Sequence, residues 1–221
     1  MQKLFIGTVV LLAMAFGAST ANASQTEITL SSGTDSYSHI GSGTLSYGSL
    51  NFNGWAVVTE TGITKSPDAV PYGIQLTSSV ACFLGGCAPL TVEFSGTGFT
   101  TVAPRFFTTY NLPTPGELGS TSTTTQTGWY DTSDMLLATG GSVGSVGFSG
   151  GVSSGSKTAV GGGPASSYSL TVQDLFNSGT GAASFSANGE VGVTPEPSTM
   201  LLFGSGLLLL GGFLRRQLHH A

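Results

Sequence analysis

The sequence predicts an all-β protein, an antiparallel β-sandwich of the jelly-roll-like or immunoglobulin-like kind. Apolar and polar residues alternate in many short runs, which is the period of a strand with one buried face. Turn-forming residues separate these runs, and glycine alone supplies 34 of the 221 residues. Between the two ends of the chain, no window carries a sustained apolar stripe of helical period. We therefore expect short strands packed as two facing sheets.

The N-terminus has the features of a secretory signal peptide. Lys3 precedes an apolar stretch from Leu4 to Ala18, and the small-residue site formed by Ala21 and Ala23 follows. We expect cleavage after Ala23, so that residues 1–23 are the signal peptide and residues 24–193 are the exported β-sandwich domain. A body of this size is one domain's worth of chain and can bury a core.

Four runs show the alternation most clearly. Their apolar residues are Leu45 and Tyr47; Tyr72, Ile74 and Leu76; Leu90, Val92 and Phe94; and Tyr168, Leu170 and Val172. Turn residues at Asn53-Gly54 and Ser66-Pro67-Asp68 separate such runs. At most one short segment of the body, DLFN from Asp174 to Asn177, makes a helical turn.

Three further segments have less regular patterns. The dipeptide Asn188-Gly189 predicts a hairpin turn between Ser184-Phe185-Ser186 and Val191. Ser120 to Thr127, STSTTTQT, fits either a solvated loop or an edge strand. Gly140 to Gly163 is rich in Gly and Ser but contains valines and a phenylalanine. We predict irregular strands joined by mobile loops there.

Cys82 and Cys87 are the two cysteines of the chain. An exported protein meets an oxidising compartment, so we expect them to form a disulfide, which for so small a loop contributes roughly 2 kcal/mol. A metal site would need further soft or imidazole ligands. His39 is the only histidine in the body; the other two, His219 and His220, lie in the tail. We predict no metal and no cofactor.

The charge of the body is strongly negative. All 11 acidic residues lie between Ser24 and Pro197, where the only basic residues are Lys65, Arg105 and Lys157. Such a charge excludes nucleic acid as an expected partner. Ser, Thr and Gly supply most of the polar surface, which suits an extracellular β-protein that meets sugars or polymer.

The scarcity of histidine also argues against most hydrolytic enzymes. Nucleophilic Ser and Cys catalysis needs an imidazole to accept a proton, and no motif surrounds His39. A pair of carboxylates among Glu93, Asp131 and Asp134 could in principle cleave glycosides. Equally, Glu93 could be an outward strand residue, and the two aspartates could cap a turn or bind Ca²⁺ weakly. We predict no catalytic residues and no enzymatic activity.

Aromatic residues are the candidate binding surface, because sugar rings stack on Trp and Tyr. Trp55 and Trp129 are the possible sugar contacts. The alternative is core packing: Trp55 lies among apolar neighbours, and the adjacent Trp129 and Tyr130 must face opposite sides of any strand.

The C-terminal segment, residues 194–221, has three parts. The motif Pro195-Glu196-Pro197 precedes an uncharged run from Ser198 to Leu214, and the basic pair Arg215-Arg216 follows. As a helix the run would span about 25 Å, slightly less than the roughly 30 Å hydrocarbon layer of a membrane. The arginines would hold its far end on the cytoplasmic side, so the body is expected outside the cytoplasm.

These residues closely resemble the PEP-CTERM sorting signal of Gram-negative bacteria, in which Pro-Glu-Pro, a hydrophobic helix and a basic tail follow in that order. The resemblance covers Thr194 to Arg216. It implies handling by an exosortase, a membrane-embedded transpeptidase-like enzyme that cuts near Pro-Glu-Pro and passes the protein to the envelope or extracellular polymer. It also implies a bacterium that makes exopolysaccharide and biofilm. An ordinary single-pass anchor is the alternative interpretation.

Together these features predict an exported protein. We expect inner-membrane anchoring with a periplasmic body, and an outer-envelope or extracellular location after processing. The expected function is non-catalytic, structural or adhesive, in association with exopolysaccharide. The alternatives are a carbohydrate-binding module and a carboxylate-dependent glycoside hydrolase.

Overall fold

A computed structural model of the chain describes residues 25–65, 72–83, 86–99, 105–111, 121–149, 156–162, 167–194 and 206. Several predicted features lie outside these residues: the signal peptide with Ala21 and Ala23, the turn Ser66-Pro67-Asp68, the motif Pro195-Glu196-Pro197, the apolar run Ser198 to Leu214 except for residue 206, and the pair Arg215-Arg216. Within the described part of the chain, no helix is both long and apolar enough to cross a membrane.

The described residues form thirteen β-strands. They are β1 (Thr26–Ser32), β2 (Asp35–Gly41), β3 (Leu45–Tyr47), β4 (Leu50–Phe52), β5 (Trp55–Lys65), β6 (Tyr72–Cys82), β7 (Leu90–Phe99), β8 (Arg105–Asn111), β9 (Thr123–Asp131), β10 (Gly141–Ser149), β11 (Ser156–Gly162), β12 (Tyr168–Asn177) and β13 (Ala183–Thr194). The four runs with the clearest alternation lie in β3, β6, β7 and β12, as the period of two predicts.

The strands form two antiparallel sheets. A six-stranded sheet has the order β10-β9-β12-β7-β1-β2, and a seven-stranded sheet has the order β11-β8-β13-β6-β5-β3, with β4 paired to β5. The prediction of an antiparallel β-sandwich is confirmed at this level. The last strand, β13, lies between β8 and β6 and is therefore interior to its sheet.

The apolar core lies between the two sheets. In β1, every second residue is buried, and the same alternation recurs in β6 and β13. The largest fully buried side chains come from both sheets: Trp55, Tyr168, Phe94, Phe99, Phe176, Ile28, Leu30, Ile74, Leu76 and Leu90. Burial of apolar surface stabilises the fold by about 25 cal/mol per Å², so this layer is the main source of its stability.

The turn at Asn53-Gly54 is confirmed. Both residues have positive φ, 48° and 84°, and they join β4 to β5 as a two-residue hairpin loop. Positive φ at both central residues is what the hairpin turn with the correct twist requires, and Asn and Gly tolerate it best.

Two local predictions are wrong. Asn188-Gly189 is not a turn, because β13 runs straight through it while pairing with both β6 and β8. The Asn188 side chain accepts a hydrogen bond of 2.8 Å from Gln75 on β6. The DLFN segment is not helical either: it continues β12, with Asp174 and Phe176 buried and Leu175 exposed between them, which is the period of a strand.

The polar and glycine-rich segments also form strands. The Ser/Thr run lies largely in β9, which is paired on both sides and is therefore not an edge strand. Within this Ser/Thr run, Ser122, Thr124 and Gln126 are buried.

The Gly/Ser segment contributes β10 and β11, one edge strand of each sheet, and β10 has a register shift between Ser142 and Gly144. Residues 150–155 between them lie outside the described part.

The Cys82–Cys87 disulfide is confirmed, with a Cα–Cα distance of 6.2 Å. It closes the segment that follows β6. The next residue, Ala88, uses its carbonyl to accept hydrogen bonds from the Trp55 indole at 2.8 Å and from the Ser32 hydroxyl at 3.3 Å. The disulfide loop is therefore attached to strands of both sheets.

Candidate functional site

Glu93 lies on the outer face of the six-stranded sheet. It is directly opposite Gln173 on β12, whose amide donates a hydrogen bond of 2.7 Å to the Glu93 carboxylate. The strand alternation places its neighbours Val92 and Phe94 in the core. Glu93 therefore occupies the outward strand position that was the alternative to a catalytic role.

Asp131 and Asp134 organise the loop that follows β9. Asp131 accepts hydrogen bonds from the backbone N–H, at 2.7 Å, and from the hydroxyl of Ser133, and these bonds hold the pKa of Asp131 below its usual value. Asp134 has a φ of 56° and accepts hydrogen bonds of 2.8 Å from the Gly98 N–H and 2.7 Å from the Ser167 hydroxyl. Both carboxylates thus support a turn.

The three predicted acids are not gathered around one point. Glu93 pairs with Gln173, whereas Asp131 pairs with Ser169 on the same strand β12. Four residues of strand correspond to about 13 Å, which exceeds the roughly 5 to 10 Å that separates the two carboxylates of glycosidases. Asp134 is hydrogen-bonded to Gly98, five residues along β7 from Glu93.

Among the residues that the structure describes, no group of three or more His, Cys, Asp or Glu could hold a metal ion.

Trp55 is a core residue, so the prediction of sugar contact there is wrong. Its side chain is 0% exposed, its indole N–H bonds the Ala88 carbonyl, and its ring lies 6.0 Å from that of Phe185. Trp129 is half-buried on the outer face of the six-stranded sheet, opposite Thr171, and its buried indole N–H has no hydrogen-bond partner. Sugar contact at Trp129 remains a prediction.

A second aromatic group, not predicted from the sequence, lies where the edges of the two sheets meet. We call Tyr37, His39 and Tyr47 the aromatic edge. The Tyr37 ring is 51% exposed and lies 5.0 Å from the Tyr47 ring, and the His39 ring lies 6.1 Å from Tyr47. The Tyr47 hydroxyl donates a hydrogen bond of 3.1 Å to the Ile28 carbonyl, which links β3 to β1. Burial, with Tyr37 and Glu27 contributing less, raises the pKa of Tyr47 above its usual range.

The most unusual feature of the interior is a group of polar side chains between the sheets. We call Glu60, Ser78, Gln126 and Asp174 the inter-sheet cluster, and all four are 0% exposed. Glu60 on β5 is directly opposite Ser78 on β6, and Gln126 on β9 is directly opposite Asp174 on β12. One pair from each sheet therefore meets the other pair across the core.

Asp174 is the best-bonded member of the cluster. The Ser78 hydroxyl donates to one of its carboxylate oxygens at 3.0 Å and the Gln126 amide donates to the other at 2.9 Å. In contrast, neither carboxylate oxygen of Glu60 has a hydrogen-bond partner, and the amide oxygen of Gln126 also has none. Buried polar atoms without partners are rare and costly in folded proteins.

The cluster shifts the titration of both acids. Burial raises the pKa of Asp174 to about 7, against the opposing effect of the hydrogen bonds from Gln126 and Ser78. Burial also raises the pKa of Glu60 well above its ordinary value; the nearby Ser78 hydroxyl opposes this change and the charge of Asp174 adds to it. Two carboxyl groups with this environment favour a bound proton or a bound cation over two bare charges.

The local backbone explains how these side chains reach the interior. Trp55 and Val57 point inward, and simple alternation would then turn Glu60 outward. A register shift between Val57 and Thr59 reverses the alternation of inward and outward side chains, so that Glu60 points inward.

On β13, a Cβ at position 189 would overlap the amide of Gln126, so Gly189 provides the space for that side chain.

The described strands form a two-sheet antiparallel β-sandwich. Its last described strand, β13, ends at Thr194, where the C-terminal segment begins. The chain carries a PEP-CTERM protein-sorting motif, because the family profile with that description matches residues 193–217. The resemblance predicted from Pro195-Glu196-Pro197 is therefore confirmed, and the processing partner that such a motif implies is an exosortase. No curated protein matches the sequence.

Solved structures share the fold only weakly. The enzymatically active domain of tailspike protein 4 from Bacteriophage CBA120 matches with 15% identity and a TM-score of 0.32, over 63% of this chain and 20% of that one. TmCBM61, solved with beta-1,4-galactotriose, matches with 11% identity and a TM-score of 0.32, over 67% and 86%. The K1 cleaved adhesin domain of Lys-gingipain from Porphyromonas gingivalis W83 matches with 13% identity and a TM-score of 0.33, over 69% and 98%. Similarity at this level carries no functional assignment.

Proposed function

We propose that this protein is an exported envelope or matrix protein whose β-sandwich is delivered by its PEP-CTERM signal and has a structural or adhesive, non-catalytic role against exopolysaccharide. One observation carries the proposal: the matched sorting motif, residues 193–217, begins within the last two residues of β13, which ends at Thr194. The folded domain is therefore what the signal carries, and a cut at Pro195-Glu196-Pro197 would leave all thirteen described strands intact.

The expected route begins with export through residues 1–23. The C-terminal segment then holds the chain in the inner membrane, with Arg215-Arg216 on the cytoplasmic side, until an exosortase-type enzyme cuts near Pro195-Glu196-Pro197. The Cys82–Cys87 disulfide agrees with this route, because disulfides persist in oxidising compartments outside the cytoplasm.

The contacts of the candidate catalytic residues support a non-catalytic role. Glu93, Asp131 and Asp134 each accept hydrogen bonds within strands and turns. His39 lies on the edge strand β2 beside Tyr47. These contacts use the side chains to stabilise the fold and the loops.

The test is to follow the full chain in a host with and without its exosortase, measuring the mass and the cell fraction of the mature protein. We expect loss of residues beyond the motif and release from the inner membrane only when the enzyme is present. A double variant, Pro195→Ala with Pro197→Ala, should stay anchored, whereas the control Glu190→Gln should be processed normally. Mature protein that retains Arg215-Arg216 in the competent host would contradict the processing step.

Carbohydrate binding is the second candidate function, and the aromatic edge favours it. Tyr37 offers an exposed ring face at the rim of the sandwich, where a polymer can approach, and sugar C–H faces stack on such rings. Titration of the full chain against host exopolysaccharide tests this function. Saturable binding that is lost in Tyr37→Ala or Trp129→Ala supports it, and absence of saturable binding contradicts it.

A further inference from the structure

We propose that the inter-sheet cluster of Glu60, Ser78, Gln126 and Asp174 is a buried Ca²⁺ site that joins the two sheets. The proposal concerns the stability of the domain and does not depend on the function proposed above. It starts from two acidic side chains that are completely enclosed, one contributed by each sheet.

Three buried oxygens of the cluster have no hydrogen-bond partner. Both carboxylate oxygens of Glu60 and the amide oxygen of Gln126 are buried and accept no hydrogen bond. Ser78 is directly opposite Glu60, and both Ser78 and Gln126 are hydrogen-bonded to Asp174, so these oxygens belong to one polar group. A divalent cation would bind several of these acceptor oxygens at once and would also neutralise the two carboxylates.

A proton alone does not satisfy the cluster. A protonated Glu60 has a single O–H donor, which could bond either the Ser78 oxygen or the Gln126 amide oxygen. The second Glu60 oxygen would still lack a donor, because the single hydroxyl proton of Ser78 is already donated to Asp174. Protonation therefore removes the charge but leaves at least one buried acceptor oxygen without a partner.

The oxygen ligands that the cluster offers favour Ca²⁺ over Mg²⁺ and Zn²⁺. Glu60 offers two oxygens, Asp174 one or two, and Gln126 and Ser78 one each, all of them hard oxygen ligands. Ca²⁺ accepts six to eight such ligands in a flexible geometry, whereas Mg²⁺ requires a strict octahedron and keeps its waters, and Zn²⁺ favours nitrogen and sulfur. Two carboxylates also balance the charge of one divalent ion.

The residues whose described positions flank the cluster are uncharged. Val92 is opposite Asp174, Ala187 is opposite Ser78, and Gly189 faces Gln126. The backbone register places Lys157 of β11 opposite Tyr110, which is itself opposite Gly189, so Lys157 is included in the test as the alternative counter-charge.

The test uses the full chain, purified in detergent with its disulfide intact. The protein is unfolded in guanidinium chloride with EDTA, so that a trapped ion is released, and refolded with or without Ca²⁺. Bound calcium is then measured by elemental analysis, and the melting temperature is measured in Ca²⁺, in Mg²⁺ and in EDTA. We expect one Ca²⁺ per chain and a higher melting temperature in Ca²⁺ than in Mg²⁺ or EDTA.

The variants decide whether the cluster is responsible. Glu60→Gln and Asp174→Asn should each weaken Ca²⁺ binding at least tenfold and remove the difference between Ca²⁺ and EDTA, whereas the surface control Glu93→Gln should behave like the natural protein. If the two core variants fail to fold, Ser78→Ala replaces them, with a smaller loss of affinity expected. The proposal is overturned if the natural protein binds no calcium, if the core variants bind it equally well, or if Lys157→Gln alone lowers the melting temperature while Ca²⁺ has no effect.

Discussion

The Ser78 hydroxyl donates a hydrogen bond of 3.0 Å to the Asp174 carboxylate, which joins residues 96 positions apart and connects the two sheets through the core. Sandwich interiors are usually apolar, so a polar contact at this depth must be satisfied by its surroundings. Asp174 is satisfied by Ser78 and Gln126, whereas Glu60 is not. The first two predictions concern this inter-sheet cluster.

The stability of the Ca²⁺-free protein should decrease as pH rises. The pKa of Asp174 is about 7 in the folded chain against an ordinary 3.8, so the protonated carboxyl favours the fold. This contribution is complete below pH 3.8 and is lost as pH rises through 7, by up to about 4 kcal/mol. Urea unfolding in EDTA at several pH values measures it. Asp174→Asn should reduce this slope, and an unchanged slope in that variant would contradict the assignment.

Gly189→Ala should destabilise the domain by about 2 kcal/mol or more, because the new methyl group would overlap the Gln126 amide in a close-packed core. The matched control is Gly181→Ala, since a Cβ there meets nothing within 4 Å. Equilibrium unfolding of both variants tests the contact. Equal stability of the two would show that Gln126 moves aside without cost.

Removal of the disulfide by Cys82→Ser with Cys87→Ser should lower the free energy of unfolding by roughly 2 kcal/mol, the loop-closure contribution of a short ring. Denaturant unfolding with and without a reductant provides the measurement. The reductant should lower the stability of the natural protein and have no effect on the double variant. An equal effect on both proteins would indicate a cause other than the Cys82–Cys87 bond.

If the aromatic edge binds sugar, Tyr37→Ala should weaken binding to host exopolysaccharide about tenfold, because loss of one stacking ring commonly removes 1 kcal/mol or more. Ile40→Ala is the control, since Ile40 is similarly exposed on the same strand but on its opposite face. Isothermal titration compares the two variants. Equal weakening in both would place the contact elsewhere.

The alternation of apolar and polar residues was sufficient to predict the fold class and the strands β3, β6, β7 and β12. It did not predict which face of the other strands is buried or which strands pair. The dipeptide Asn-Gly forms a turn at Asn53-Gly54 and continues a strand at Asn188-Gly189, because β13 is paired on both sides and Gly189 makes room for Gln126. The inward phase of Glu60 depends on the register shift before it, which the composition does not reveal. A contact between Ser78 and Asp174 requires knowledge of how the sheets face each other.

The candidate binding residues were also predicted only in part from the sequence. Core packing was one of two interpretations for Trp55, and the structure selects it. The exposure of Tyr37 follows from the edge position of β2, which is a property of strand order and has no local sequence signal. The sorting motif, in contrast, is contiguous and was predicted completely from Pro195-Glu196-Pro197 and the residues after it.

The proposed function places the folded domain outside the cytoplasm. Its most direct test is mass spectrometry of the protein from cells quenched in acid and treated with a maleimide before any reduction. The account predicts a chain that lacks residues 1–23 and whose Cys82 and Cys87 take up no maleimide, because they form the disulfide. A chain that retains residues 1–23 and carries maleimide on both cysteines would contradict it.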